Sequence, residues 1–163
     1  MIMSADTPKF EDLLDLPPSE DDVPKLIPVG SYLVTVKGLP EVGRSTVKDT
    51  PFRRFTYQII DIGADVDEVE IEERGGVNEI IGKSVKDTYY ITDDAIFRLN
   101  AMLENCLGDV EGKSRRELID ETPNCELGIY LRHRAATDGS DRMFLDVSRT
   151  FPAEKFVNLQ KAA

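Results

Sequence analysis

The sequence predicts a mainly β domain with one main helix, in the order β-β-β-α-β-β. Five segments between residues 28 and 152 alternate apolar and polar side chains with a period of two, as half-buried strands do. A segment between the third and fourth of them instead repeats apolar residues at helical spacing. Runs of glycine, proline, aspartate and serine separate the elements. The chain of 163 residues is therefore expected to form one domain with some chain left over.

The first, second and third predicted strands cover residues 31–39, 52–62 and 82–92. Their inward faces consist of apolar and aromatic side chains: Tyr32, Val34 and Val36; Phe55, Tyr57 and Ile59; and Val85, Tyr89 and Ile91. The register of the third strand also turns Asp87 inward, which counts against that register because a carboxylate is costly to bury.

Two connections in this half of the chain are predicted to be loops. Residues 40–51 are rich in turn formers. The second connection is residues 64–76, and its first eleven residues, 64–74, contain six acids and one base. Because like charges in a block repel one another, this acidic loop is expected to be solvated rather than helical.

The main helix is predicted to open at Thr92, an N-cap candidate followed by two acids that the helix dipole favours. Its apolar stripe, interpreted as core packing, is Ile96, Leu99, Met102, Leu103, Cys106 and Leu107. Gly108 is placed to end it. A shorter helix is expected from Ser114, which has capping-box spacing to Glu117.

The last two predicted strands cover residues 125–134 and 142–151, joined by a hairpin at residues 136–141. Their predicted inward residues are Leu127, Ile129, Leu131, Met143, Leu145 and Val147. Their predicted outward residues are Tyr130, Arg132, Arg134, Phe144, Asp146 and Ser148.

The net charge of −11 is concentrated in two segments. Residues 1–26 carry seven acids and two bases, and the acidic loop carries a further net −5, so the rest of the chain has a net charge of only −1. Basic residues can therefore cluster on the body of the domain despite the overall acidity.

The predicted organisation is an acidic flexible N-terminal arm at residues 1–27, a domain at residues 28–152 and a C-terminal tail at residues 153–163.

The arm also holds a candidate partner-binding segment. Phe10, Leu13 and Leu14 lie at helical spacing beside acidic residues, so a short amphipathic turn can form when the segment docks on a partner. The alternative is a disordered arm that only aids solubility.

Catalysis and metal binding have little support in the sequence. The single histidine, His133, lacks the partners of a triad, and Cys106 and Cys125 have no metal-ligand spacing, so both cysteines are interpreted as buried and reduced. We expect a protein that is not an enzyme and has no cofactor. The start of the chain has no signal-peptide pattern and no segment is apolar enough to span a membrane, so a cytoplasmic location is expected, that of the host cell if the protein is phage-encoded.

The order of elements is that of the OB-fold, a five-stranded, partly open barrel that often binds oligonucleotides. The segments IPVGSYLVTVKGL, FRRFTYQIID, GKSV, IFRLNAMLENCLG, EGKSRREL and CELGIYLRHRAATDGSDRMFLDVSRTFP together resemble a family of small bacteriophage proteins. The resemblance covers roughly residues 27–152. It implies single-stranded DNA binding in phage replication or recombination, with phage replication or recombination proteins as partners through the acidic arm. The chain departs from many single-strand-binding proteins in ending FVNLQKAA instead of in an acidic tip.

Single-stranded DNA binding requires cations to replace phosphate counterions and flat rings on which bases stack. The outward strand residues and the two hairpin loops supply both. The predicted nucleic-acid-binding residues are Arg44, Lys48, Arg54, Lys86, Tyr90, Tyr130, Arg132, Arg134 and Arg142.

Other interpretations stay open. Exposed strands commonly carry Arg and Tyr, Arg132 could pair with a carboxylate of the acidic loop, and that loop could cover an empty groove. A phage structural or assembly protein, whose arm and acidic loop dock neighbouring subunits in an oligomer, is a competing hypothesis, as is an adaptor for a replication enzyme.

Overall fold

The structure, a computed structural model, describes residues 14–18 and 26–162. Its strands are β1 (Gly30–Val36), β2 (Glu41–Arg44), β3 (Pro51–Ile62), β4 (Ser84–Tyr90), β5 (Glu126–Ala135) and β6 (Met143–Pro152). Its helices are α1 (Glu68–Glu73), α2 (Ile96–Leu107), α3 (Arg115–Asp120) and α4 (Ala153–Ala162), and Val77–Glu79 forms a short 3-10 turn. The mainly β composition and the place of the main helix between two groups of strands are confirmed.

All six strands join one antiparallel sheet. β1 and β2 lie end to end along one edge of β3, where Val36 pairs with Tyr57 and Glu41 pairs with Arg54. β4 pairs along the other edge of β3. β5 pairs with the free side of β1, and β6 pairs with β5. The sheet therefore runs β4-β3-β1-β5-β6, with β2 continuing the line of β1.

The sheet does not close into the predicted OB-fold-like five-stranded barrel, because no pairing joins β4 to β6 in the described parts of the chain. Helix α2 contacts both of these edge strands. Its Arg98 guanidinium donates to the carbonyl of Thr88 on β4 at 3.2 Å and lies 3.5 Å from the carbonyl oxygen of Val147 on β6. A side chain of the helix thus spans the seam that strand pairing leaves open.

The core lies on one face of the sheet, under α2. The residues predicted to face inward on the first two strands are fully buried: Tyr32, Val34, Val36, Phe55, Tyr57 and Ile59. From α2, Leu99, Met102 and Leu103 pack against them. The period-two alternation identified this face correctly because the strands have one buried and one exposed side.

Asp87, the residue that counted against the predicted register, does face inward. It is 7% exposed, and its carboxylate accepts from Arg98 at 3.0 Å. Burial raises the pKa of the Asp87 carboxyl, an effect that attraction to the Arg98 guanidinium only partly offsets. Arg98 therefore resolves the objection, because it supplies the ion pair that a buried carboxylate requires.

Three connecting segments differ from the sequence prediction. Residues 41–44 of the predicted loop pair with β3 as β2. The acidic loop contains α1, because the Asp67 side chain caps its N-terminus and Ile71 is buried. Helix α2 starts at Ile96, four positions after Thr92, and the Thr92 hydroxyl accepts from the amide of Ala95 in the turn between them.

The predicted C-terminal tail is a helix of the domain. Residues 153–162 form α4, in which Phe156 is 1% exposed. The Gln160 side chain donates to the Ile62 carbonyl at 2.9 Å and accepts from the Ala64 amide at 2.6 Å. Because Phe156 and Ser31 line one cavity, α4 lies across the sheet face opposite the core.

At the other end of the chain, Ile27 also differs from its prediction. It was assigned to the arm, but it is buried, and its carbonyl accepts from the His133 ring at 2.8 Å. Phe10 and Leu13 lie outside the described residues. Leu14 is described and is 85% exposed.

Candidate nucleic-acid interface

The pairing of β5 with β6 brings basic and aromatic residues to the sheet face opposite the core, called the outer face below. Tyr130 pairs with Arg149, and Arg134 pairs with Phe144. Directly paired residues of antiparallel strands project to the same side of the sheet. The alternate pair, Leu131 with Val147, is buried on the core side. The polar pairs therefore share the outer face.

The outer-face residues of this hairpin form a small set of stacked cations and rings. The Arg149 guanidinium lies 5.4 Å from the centre of the Tyr130 ring. Two guanidinium groups, those of Arg134 and Arg142, lie 5.4 Å and 5.8 Å from the centre of the Phe144 ring. Such contacts hold an arginine next to an aromatic ring without neutralising its charge. We call this set the β5–β6 surface; its members are Tyr130, Arg132, Arg134, Arg142, Phe144 and Arg149.

Most of the β5–β6 surface is open to solvent. Its four arginines are exposed, and Phe144 is 40% exposed. One acid lies among its strand positions: Asp146, which pairs with Arg132 at 3.4 Å. Arg132 therefore pairs across the hairpin rather than with the acidic loop. The arrangement offers cations and part of an aromatic ring to a ligand on the same face.

A second group of predicted residues lies on the outer face of β3 and β4. Arg54 contacts the ring of Phe52 at 4.8 Å, and the edge of Phe52 meets Tyr90 with ring centres 6.2 Å apart. However, Arg54 is already engaged, since it pairs with Glu41 at 3.3 Å and donates to the Thr88 hydroxyl at 2.9 Å. Phe52 is buried against Gly43, where a Cβ atom would overlap its ring. The exposed members of this group are Tyr90 and Lys86.

The two remaining predicted residues belong to the β2–β3 hairpin. Arg44 ends β2 and pairs with Asp49 at 3.3 Å. Lys48 is exposed in the turn that follows. Both therefore lie near the β3–β4 group and not near the β5–β6 surface.

The structure thus divides the nine predicted residues between two places. Arg54 pairs with Glu41 beyond one end of β1, whereas Tyr130 pairs with Ser31 near the other end. At about 3.3 Å per residue, roughly 25 Å of strand separates these levels. Helix α4 contacts β1, β5 and β6, and it lines a cavity with Ser31, at the level of Tyr130. A single straight groove over β1 is therefore blocked.

Two members of the β5–β6 surface were missed as site residues. Phe144 was correctly predicted to point outward, but it was not considered as a stacking ring. Arg149 was missed because strict alternation places it on the face of Val147. The register shifts so that Tyr130 pairs with Arg149 and Leu131 with Val147, which leaves Ser148 as a bulge. The bulge turns Arg149 outward, and nothing in the alternation signals it.

Other candidate chemical groups have structural partners. The Nε2 atom of His133 donates to the Ile27 carbonyl, and the thiol of Cys125 donates to the Glu121 carbonyl at 3.4 Å. Both cysteines are half-buried, and burial raises the pKa of the Cys106 thiol. No group of three His, Cys, Asp or Glu side chains within residues 14–18 and 26–162 could hold a metal ion. In the same residues, no helix is long and apolar enough to cross a membrane.

Neither a family model nor a curated protein matches the sequence. Among solved structures, a chain of yeast RPA bound to ssDNA overlaps 99% of this chain, over 100% of its own length. The sequence identity is 11% and the TM-score is 0.29. A TM-score this low does not establish a shared fold, so the overlap assigns neither a fold family nor a ligand to this chain.

Proposed function

We propose that this protein binds single-stranded DNA through the β5–β6 surface and does not catalyse a reaction on it. The observation that carries the proposal is the placement of three exposed arginines against the rings of Tyr130 and Phe144, on the same face of the hairpin as Arg132. Arginine side chains replace the counterions of phosphates, and aromatic rings stack on bases whose faces are free. A duplex hides those base faces, so the rings favour a single strand.

The sheet order also supports an OB-like reading of the fold. The path β4-β3-β1-β5-β6 is compatible with an open barrel whose edges α2 bridges instead of strand pairing. OB-folds bind single strands on their outer strands and adjacent loops. A role among phage replication or recombination proteins is the finer part of the proposal, and it is supported by the sequence resemblance alone.

The charge of the surface sets the expected strength of the salt effect. Three of its arginines have no acidic partner across the hairpin, since Asp146 pairs with Arg132. Each phosphate neutralised on a single strand contributes about −0.7 to the slope of log K against log salt, so three contacts give a slope of about −2. The acidity of the whole chain is screened beyond about 10 Å at 0.1 M salt and does not cancel these local contacts.

The test is a fluorescence titration of labelled oligo-dT, repeated with a duplex of equal length and at several salt concentrations. We expect tighter binding to the single strand and a salt slope of about −2. Absence of binding at low salt, or tighter binding to the duplex, would refute the proposal. A scaffold or assembly role would then be the better hypothesis.

A further inference from the structure

A second feature of the molecule lies away from the β5–β6 surface. A cleft of about 540 Å³ opens between the β2–β3 pair and helices α2 and α3. Its apolar wall includes Leu39 and Val42, which are both largely exposed, and Ile96 at the start of α2. Arg53, which pairs with Val42, lines it from the core-facing side of β3. The cleft is thus on the opposite face of the sheet from Arg54.

The polar rim of this cleft is basic. Arg53, Arg115 and Arg116 line it, and Asp120 is the one acid among the lining residues in the described parts of the chain. Arg115 and Arg116 belong to the exposed side of α3, where Arg115 donates to the Asn100 side chain at 2.7 Å. An apolar wall with three arginines at its edge fits a segment that combines bulky apolar side chains with carboxylates.

The chain itself carries such a segment at residues 10–16, with the sequence FEDLLDL. Phe10, Leu13 and Leu14 have the spacing of one helical face, and the segment contains three acids and no base. Leu14 is 85% exposed in the single chain, so at least this residue has no apolar partner there. The segment and the cleft complement each other in both apolar character and charge.

The reach of the arm identifies which copy of the chain supplies the segment. Ile27 is fixed beside His133, about 40 Å along the strands from the level of Val42 at 3.3 Å per strand residue. The connection from residue 17 to residue 26 spans about 33 Å when fully extended. Even fully stretched, this connection falls short of that distance along the strands, whereas the arm of a neighbouring molecule has no such constraint.

We propose that the cleft binds residues 10–16 of a second copy of the chain, so that the protein associates with itself through its acidic arm. Phe10, Leu13 and Leu14 of the segment contact the apolar wall of the cleft, and the carboxylates of the segment face the three arginines at its edge. The association does not depend on DNA. It can therefore be tested separately from the proposed function.

The test uses the absence of tryptophan from the sequence. In the full chain, Phe10→Trp supplies one reporter, followed by its emission maximum over a dilution series in parallel with sedimentation velocity. We expect a blue-shifted emission at high concentration that moves to the red on dilution, together with a change from dimer or larger species to monomer. High salt should favour the monomer, because the contact includes exposed ion pairs.

Charge reversal identifies the site. In the Phe10→Trp background, Arg115→Glu with Arg116→Glu should raise the dissociation constant at least tenfold, since two attractions become repulsions. Adding Glu11→Lys and Asp12→Lys to the same chain should restore association, which a misfolded protein could not show. Lys155→Glu with Lys161→Glu is the matched control and should leave association unchanged, because both lysines are exposed on α4 and neither lines the cleft.

Three results would overturn the inference. A monomer with red emission at every concentration would show that the arm does not bind. A blue shift that dilution does not change, in a monomer, would show that the segment binds its own chain. Unchanged association in the Arg115→Glu, Arg116→Glu variant would place the contact elsewhere.

Discussion

Tyr130 and Arg149 allow stacking and charge to be tested separately on neighbouring strands. The two residues pair directly, and the guanidinium of Arg149 lies over the Tyr130 ring. A ring that stacks on a base releases no counterion, whereas an arginine on a phosphate does. If both residues contact DNA as proposed, the effects of replacing them therefore differ in salt dependence.

If the β5–β6 surface binds DNA, Tyr130→Ala should weaken binding by about 1 to 3 kcal/mol without changing the salt slope. Arg149→Ala should reduce the magnitude of that slope by about 0.7. Titrations with oligo-dT at several salt concentrations measure both. Arg44→Ala is the control, because Arg44 is an exposed arginine near the other end of β1. A larger effect of Arg44 than of Arg149 would move the binding site to the β3–β4 group.

At the scale of elements, the sequence correctly predicted the features that follow from a regular pattern of side chains or from a fixed spacing. The inner faces of β1, β3 and β4 follow from a period of two, and the Ser114 cap of α3 follows from its spacing to Glu117. Short elements were missed because their local signal is weak. Strand β2 is four residues long and is defined by its pairing to β3, and α1 has acids on most of its surface.

Helix α4 is the clearest of the missed elements, because one residue fixes it to the domain. Phe156 is 1% exposed, whereas Leu159 on the same helix is 46% exposed. Taken alone, the sequence of these ten residues resembles a polar tail, because only one aromatic residue in it is deeply buried. The surface that covers this ring exists only in the folded domain.

This difference in burial predicts that shortening the two side chains to alanine has unequal effects on stability. Phe156→Ala should lower the free energy of unfolding by about 3 to 5 kcal/mol, since it empties a buried site. Leu159→Ala should change it by no more than about 0.5 kcal/mol, as is usual for exposed positions. Urea unfolding followed by circular dichroism gives both values. Equal, small losses for the two variants would mean that residues 153–162 are dispensable for folding.

At the scale of the whole molecule, an ion pair connects α2 to the sheet at the edge where a closed barrel would have strand hydrogen bonds. Arg98 connects α2 with Asp87 and Thr88 on β4 and approaches the Val147 carbonyl on β6. Its guanidinium also lies 4.8 Å from the centre of the Tyr89 ring. In the core, the Tyr89 hydroxyl is 2.6 Å from that of Tyr57. The seam is therefore held by charge and ring contacts.

Replacing Arg98 by Met should destabilise the fold by about 3 kcal/mol near pH 8, because it leaves the buried Asp87 carboxylate unpaired. The attraction that lowers the pKa of Asp87 is then lost, so this pKa rises further above its ordinary value of 3.8. When the folded-state pKa of an acid exceeds its unfolded value, the folded protein binds the proton more tightly, and stability falls as the pH rises between the two values. The loss caused by Arg98→Met should therefore be larger at pH 8 than at pH 5.

The matched control is the double variant Asp87→Asn, Arg98→Met, whose neutral amide does not titrate. It should recover part of the lost stability at pH 8, and its stability should change less between pH 5 and pH 8 than that of Arg98→Met, because no carboxyl group remains at position 87. Urea unfolding at pH 5 and pH 8 measures all three proteins. A loss in Arg98→Met that is equal at the two pH values would show that the carboxylate is not the cause.

The bulge at Ser148 makes the length of β6 as important as its composition. Deleting one residue at the bulge would move either Val147 out of the core or Arg149 away from Tyr130, because side chains alternate between the two faces of the sheet. Substitution of the exposed Ser148 itself leaves both partners in place. Natural or engineered variants of this hairpin should therefore tolerate replacement at the bulge far better than a single-residue deletion.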